Sequence, residues 1–264
     1  MHRVLFFSGH SYEIYAYGFC LVLAMLAGLW LALRRAPRFG LTRDQVLDFG
    51  LALLLGGMIG GRMLSILCDW DYYAQSPFYE LFNIRGGGLA WHGGLAGGLI
   101  GFVIYRMRSG IPSGRLVDLA TPCVLVGHVI GRVGCFLNGC CVGRPSDVPW
   151  AVTFPDAPQW GCVPRHPTQI YEAIAEVLIA LFIVYGWERR PRPSGSAFFV
   201  YFLLYGAARF FIEFIRDEPL LWFGLDLAQF ISIGMVVFSL GGLAWCARRS
   251  AAPRQDVEGS PAGA

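Results

Sequence analysis

"IYAYGFCLVLAMLAGLWLALRRAPR", residues 14–38, decides the fold class. Its first twenty residues carry no charge, and two arginines follow at once. A helix that crosses a bilayer needs roughly 20 mostly apolar residues. A cleavable leader has a shorter apolar stretch, so this segment is a span. The whole chain agrees. Of its 264 residues 55% are hydrophobic, the mean hydropathy is +0.51, and only 15% are charged. Soluble domains carry about 25% charged residues. The expected fold is therefore all-α: a polytopic membrane protein. The net charge of +3 is too small to argue for nucleic acid.

Six further stretches meet the same criterion, giving seven transmembrane helices at 14–33, 46–67, 89–107, 117–137, 169–187, 197–215 and 227–246. The third and fourth are Gly-rich and weaker in hydropathy. The glycines of "GGLAGGLIG" (93–101) suit close helix packing, or the lining of a lipid-filled cleft. Residues 1–249 are expected to form one transmembrane catalytic domain, and the tail 250–264 to be disordered. The loop 138–168 is long for a connector and is expected to fold back toward the interface. Every one of the 21 basic residues is arginine. With seven spans, thirteen arginines fall on one side and five on the other; Arg62, Arg132 and Arg209 fall within spans. Positive charge marks the inner side, so the N-terminus is outside and the C-terminus inside.

That orientation gives each polar residue a depth. Tyr15 and Tyr17 lie near the outer end of the first span, Trp91 and His92 near that of the third. Arg132 and Asn138 lie in the outer half of the fourth, "RHPTQIYE" (165–172) at the mouth of the fifth, and Tyr205, Arg209, Glu213 and Arg216 in the outer half of the sixth. Ionisable groups inside a membrane are costly and signal function. Arg209, Glu213 and Arg216 are spaced i, i+4, i+7 on one helical face. Beside Arg132 they leave net positive charge that wants an anion, and the planar guanidinium suits phosphate. The alternative is that Arg209 and Arg216 snorkel to the interface. His92 suits proton transfer near neutral pH, or packs as a hydrogen-bonded side chain. His128 is expected to pack, Arg62 to pair with an acid or touch lipid, and Asp118 to be solvated or to cap its helix.

The segments "YAYG", "WHGGLAGG", "GRVGCFLNGCCVGR" (131–144), "RHPTQIYEA" and "YGAARFFIEFIR", in this order, resemble the prolipoprotein diacylglyceryl transferase family over roughly residues 10–245. The resemblance implies a seven-helix, multi-pass enzyme of the bacterial inner membrane, with its N-terminus periplasmic and its C-terminus cytoplasmic. It would transfer the diacylglyceryl group of phosphatidylglycerol to the lipobox cysteine thiol in the signal peptide of a prolipoprotein. A thioether forms and glycerol-1-phosphate is released, the first step of lipoprotein maturation. No metal or soluble cofactor is implied. The resemblance makes His92, Arg209, Tyr205 and Glu213 the catalytic set, and Arg132, Arg216, Tyr17, Asn138 and Gly143 the substrate-binding set.

The chain departs from some members of that family, which have asparagine where Cys135 stands and Glu–Leu where Cys140 and Cys141 stand. These three cysteines are expected to be small residues packing a Gly-rich turn, not nucleophiles, because the reacting thiol belongs to the substrate. Their spacing is unusual for metal, and a structural disulfide to Cys162 is an alternative. Two other functions stay open: a cysteine-dependent membrane acyltransferase, and a non-catalytic lipid- or anion-binding membrane protein.

Overall fold

The computed structural model describes residues 4–6, 14–83, 88–155 and 157–251. Arg3, Arg85 and Arg254, and residues 252–264 of the tail expected to be disordered, lie outside the described residues; the first two residues of that tail, 250 and 251, belong to the last helix. Eight α-helices make up nearly all the described secondary structure: α1 (Ala16–Arg35), α2 (Arg43–Cys68), α3 (Trp70–Gln75), α4 (Trp91–Ser109), α5 (Ser113–Asn138), α6 (Thr168–Leu181), α7 (Ser196–Glu213) and α8 (Leu227–Ala251). A two-stranded antiparallel ribbon pairs β1 (Val4–Phe6) with β2 (Ile14–Tyr15). Seven long helices lie where the apolar stretches predict them. Six of these segments are long and apolar enough to cross a membrane; α4 is not among the six. The reason is composition: "GGLAGG" contributes little hydropathy, and His92, Arg106 and Arg108 lower it further.

The helix ends follow from local chemistry. After α1, the turn Ala36–Phe39 holds Pro37, and Gly40 takes the left-handed conformation at φ 64° that closes helix ends readily without a Cβ. Thr42 and Gln45 then start α2 with a capping box, Gln45 N–H donating to Thr42 Oγ1 (3.2 Å) and Thr42 N–H to Gln45 Oε1 (3.0 Å). Asp226 and Gln229 do the same for α8, at 2.8 and 3.1 Å. Within α8, Ser232 and Ser239 donate their hydroxyls to the carbonyls one turn back, so neither is a polar cost in an apolar helix.

The chain separates into two compact units: residues 28–119, and the segment up to 27 together with everything from 120 onward. In the 28–119 unit, α2 and α4 pack through glycine. Cβ atoms placed on Gly60 or Gly97 would meet backbone of the facing helix, at 2.7 Å from the Gly97 Cα and 2.9 Å from the Gly60 Cα respectively. Of the two readings of the 93–101 glycines, close packing is therefore the one realised. Arg62 in α2 is buried, and donates to the carbonyls of Leu81 (2.9 Å), Gly88 (3.0 Å) and Glu80 while stacking over Tyr73. It thus ties down the segment that leads into α4. Asp118, expected to be solvated or capping, is buried.

In the other unit, Leu125, Ile179, Ile183, Ala197, Val200 and Tyr201 form an apolar core between α5, α6 and α7. Gln229 Nε2 donates to the Phe210 carbonyl, joining α8 to α7. Residues 139–167 fold on a small core of their own, in which Val142, Phe154 and Ala157 are buried against Phe136, Val152 and Trp160. Trp160 Nε1 donates to the Gly139 carbonyl at 2.9 Å.

Candidate functional site

The site is built on α6. Thr168, Gln169, Glu172 and Glu176 recur at helical spacing and are all buried, a polar stripe along a helix whose remaining surface is apolar. Each level of the stripe holds a different partner. At the helix start, Thr168 Oγ1 donates to the Cys141 carbonyl (2.7 Å) and Gln169 Nε2 to the Cys140 carbonyl (2.6 Å). One turn on, Glu172 pairs with Arg132 of α5, with Arg209 of α7, and at 3.5 Å with Arg216. Another turn on, Glu176 meets His128 Nδ1 at 2.8 Å.

Glu213 is the second buried carboxylate. It pairs with Arg209 at 2.9 Å one turn before it and with Arg216 at 3.3 Å just after it. Arg216 also pairs with the half-exposed Glu218 at 2.8 Å. Three guanidiniums thus converge on two buried carboxylates, Glu172 and Glu213, while Glu218 meets Arg216 from the exposed side. Arg132 Nε is buried and has no hydrogen-bond partner among the described residues, so it is a donor left for an incoming acceptor. Arg209 and Arg216 do not snorkel: both guanidiniums turn inward to carboxylates.

Of the residues singled out from sequence, Arg132, Arg209, Glu213 and Arg216 come together. Tyr205 lies beside them, its ring 5.3 Å from that of His128 and 5.7 Å from that of Tyr201. Asn138 ends α5 next to the signature turn. Gly143 bridges Arg216 in an antiparallel pair, and its N–H donates to the His166 carbonyl at 2.9 Å. A Cβ on Gly143 would lie 2.7 Å from His166 Cβ and 2.9 Å from the Ile215 carbonyl oxygen, so only glycine lets these segments meet. Tyr17 and Cys20 of α1 face Gly134 of α5. His92 belongs to the 28–119 unit, exposed in the first turn of α4 with its ring 5.3 Å from that of Trp91.

Sequence reasoning missed Glu172, the residue that touches all three arginines, and it missed the pairing of His128, which was expected only to pack. The available signal was the pair of acids Glu172 and Glu176, four residues apart in an apolar helix. Around the signature turn, Cys135, Cys140, Cys141 and Cys162 are free thiols, and Cys162 is exposed. The thiols of Cys135 and Cys140, with Arg216 and Arg132 nearby, hold the Cys141 thiol well below its usual range by favouring its thiolate.

The family model described as "Prolipoprotein diacylglyceryl transferase" matches residues 3–245. Among curated proteins, the phosphatidylglycerol–prolipoprotein diacylglyceryl transferase of Pseudoalteromonas translucida (strain TAC 125) is 38% identical over 262 residues, covering 97% of this chain and 96% of that protein. The proteins of the same name from Vibrio vulnificus (strain CMCP6) and Aliivibrio fischeri (strain MJ11) are each 37% identical, over 252 and 241 residues; they cover 93% and 89% of this chain, and 92% and 84% of their own lengths. Matched along nearly its whole length, the chain belongs to the prolipoprotein diacylglyceryl transferase family.

Proposed function

We propose that this chain transfers the diacylglyceryl group of phosphatidylglycerol to the lipobox cysteine of a prolipoprotein. The observation that carries the reading is the gathering of three guanidiniums, Arg132, Arg209 and Arg216, around two buried carboxylates, Glu172 and Glu213. Such a cluster suits a phosphodiester, whose oxygens accept from the paired N–H donors of planar guanidiniums. The substrate thiolate attacks the glycerol carbon that bears the phosphate. An S–C bond forms, the C–O bond breaks, and its electron pair leaves with glycerol-1-phosphate. Charge on the phosphate grows in that step, and fixed guanidiniums favour its growth without having to reorient.

Arg132 and Arg209 clamp the phosphate, with Arg216 behind them. Glu172 and Glu213 are positioning residues that hold the three forks in place. His92 accepts the thiol proton, because arginine, with a pKa above about 12, is a poor base. Tyr205, Tyr17, Asn138 and Gly143 line the path of the lipid and the peptide. No metal or soluble cofactor enters the reaction.

The test is purified chain in phosphatidylglycerol vesicles with a lipobox peptide, followed by mass spectrometry of the peptide and detection of glycerol phosphate. Arg132→Lys should keep the charge but lower transfer about 100-fold, since an ammonium cannot make the bidentate contact. Near-normal transfer by both Arg132→Lys and Arg132→Ala would remove the phosphate clamp from the account.

The same reading makes α4 the seventh span in the inner membrane, with the N-terminus periplasmic and the C-terminus cytoplasmic. Supporting it, Arg34, Arg192 and Arg249 stack over Trp30, Trp187 and Trp245 at helix ends assigned to the cytoplasm, at 4.3, 4.2 and 4.5 Å. Aromatic and basic residues anchor helix ends at the interface. A reporter fused after Ala264 should be active only in the cytoplasm; activity in the periplasm would reverse the topology.

A further inference from the structure

We propose that Cys135, Cys140 and Cys141 form a three-thiolate site for a thiophilic closed-shell metal ion of the zinc(II) class. The three sulfurs lie within 4.8 Å of one another and are half-buried. Zinc–thiolate bonds of about 2.3 Å in tetrahedral geometry set sulfurs roughly 3.8 Å apart, so little movement would be needed. Four residues separate Cys135 from Cys140, within the usual spacing for paired zinc ligands.

The difficulty lies with Cys141, because neighbouring residues in an ordinary backbone point apart. The structure resolves it with an uncommon conformation. Cys141 has φ 61°, in the left-handed region that non-glycine residues rarely adopt. Cys140 N–H donates to the Cys135 carbonyl at 3.2 Å, folding the turn back over the end of α5. Surrounding structure then locks this shape. Buried Thr168 and Gln169 hold the Cys141 and Cys140 carbonyls, and Gly143 N–H holds the His166 carbonyl. Packing alone would not call for an uncommon backbone that gathers three sulfurs; a ligand set does.

Charge fits as well. Binding of a divalent ion displaces three S–H protons and leaves a complex of net charge −1. Arg132 stands one helical turn before Cys135, and Arg216 bridges Gly143 two residues past Cys141. Because the thiols are half-buried, an ion and a solvent molecule for the fourth position can reach them. Arg132, Asn138 and Gly143 flank the three sulfurs, so the ion would sit beside the proposed phosphate site without being a reactant in the transfer.

The test uses the full chain in detergent, reduced, freed of metal by chelation and kept anaerobic. Cobalt(II) should bind at one ion per chain with a thiolate charge-transfer absorption, and zinc(II) should displace it. Each single change, Cys135→Ser, Cys140→Ser or Cys141→Ser, should weaken zinc binding at least 10-fold, while Cys162→Ser leaves it unchanged. A second measurement needs no variant: zinc should protect Cys135, Cys140 and Cys141, but not Cys162, from a thiol-labelling reagent. Three results would overturn the proposal: no thiolate absorption, binding that survives all three substitutions together, or equal labelling of the three thiols with and without zinc.

Discussion

The α2–α4 pair and the α5–α6–α7 cluster solve one problem by opposite means. Lipid offers helices no hydrophobic reason to associate. In the first region Gly56 and Gly60 meet Gly93, Gly97 and Gly101, and backbones approach until dispersion between them suffices. In the second, Arg132, Arg209 and Arg216 reach across to Glu172 and Glu213, and ion pairs hold the helices. The glycine seam has no freedom to change shape, since its contacts are backbone. The charged seam is made of side chains, and on the proposed reading its arginines exchange a carboxylate partner for a phosphate. The first is suited to scaffolding, the second to chemistry.

The largest expected effect breaks the charged seam at its centre. Glu172→Gln keeps the shape but removes the charge that three arginines share. Leaving buried guanidiniums uncompensated costs about 3–5 kcal/mol. Transfer should fall by about two orders of magnitude or more, and the thermal unfolding midpoint in detergent should drop. A variant with activity within a few-fold of the parent would mean that Glu213 alone organises the arginines, and the seam would not be a shared structure.

This contrast also marks where sequence reading stops. The apolar stretches located the long helices because lipid demands length and apolarity locally: 169–187 is realised as Thr168–Trp187, and 197–215 as Ser196–Glu213. Arg209 and Glu213 were legible as neighbours on one face because helical period is local too; Arg216, expected on that face, lies past the end of α7 in a bridge with Gly143. The partner of Arg132 was not, because Glu172 stands forty residues away and only the packing of α5 on α6 joins them. Arg62 binds backbone carbonyls, and these carry no sequence signal. The closeness of the three sulfurs was not legible either, since the backbone turn at Cys141 that gathers them cannot be read from "CC".

The glycine seam should respond differently. In Gly97→Ala the new methyl would overlap the Gly56 carbonyl and sit 2.9 Å from the Gly60 Cα, and neither can rotate away. Overpacking of this kind costs about 1–3 kcal/mol. The unfolding midpoint should fall, while lipid binding at the arginines of the protein that remains folded should be unchanged. Parallel loss of phosphatidylglycerol affinity would show that the two seams are not separable.

The smallest effect sharpens the contrast most, because it concerns the next residue. Gly98 sits beside Gly97 in the same helix, yet a Cβ there would lie 3.9 Å from the Leu53 carbonyl oxygen, ordinary van der Waals contact. Gly98→Ala therefore adds no overlap. It removes backbone freedom from the unfolded chain and improves helix propensity, worth up to about 1 kcal/mol in a helix interior. The midpoint should stay level or rise slightly, with transfer unaffected. If Gly98→Ala were as damaging as Gly97→Ala, the seam would tolerate no added bulk on either face of α4, and steric contact with α2 would not be what selects its glycines.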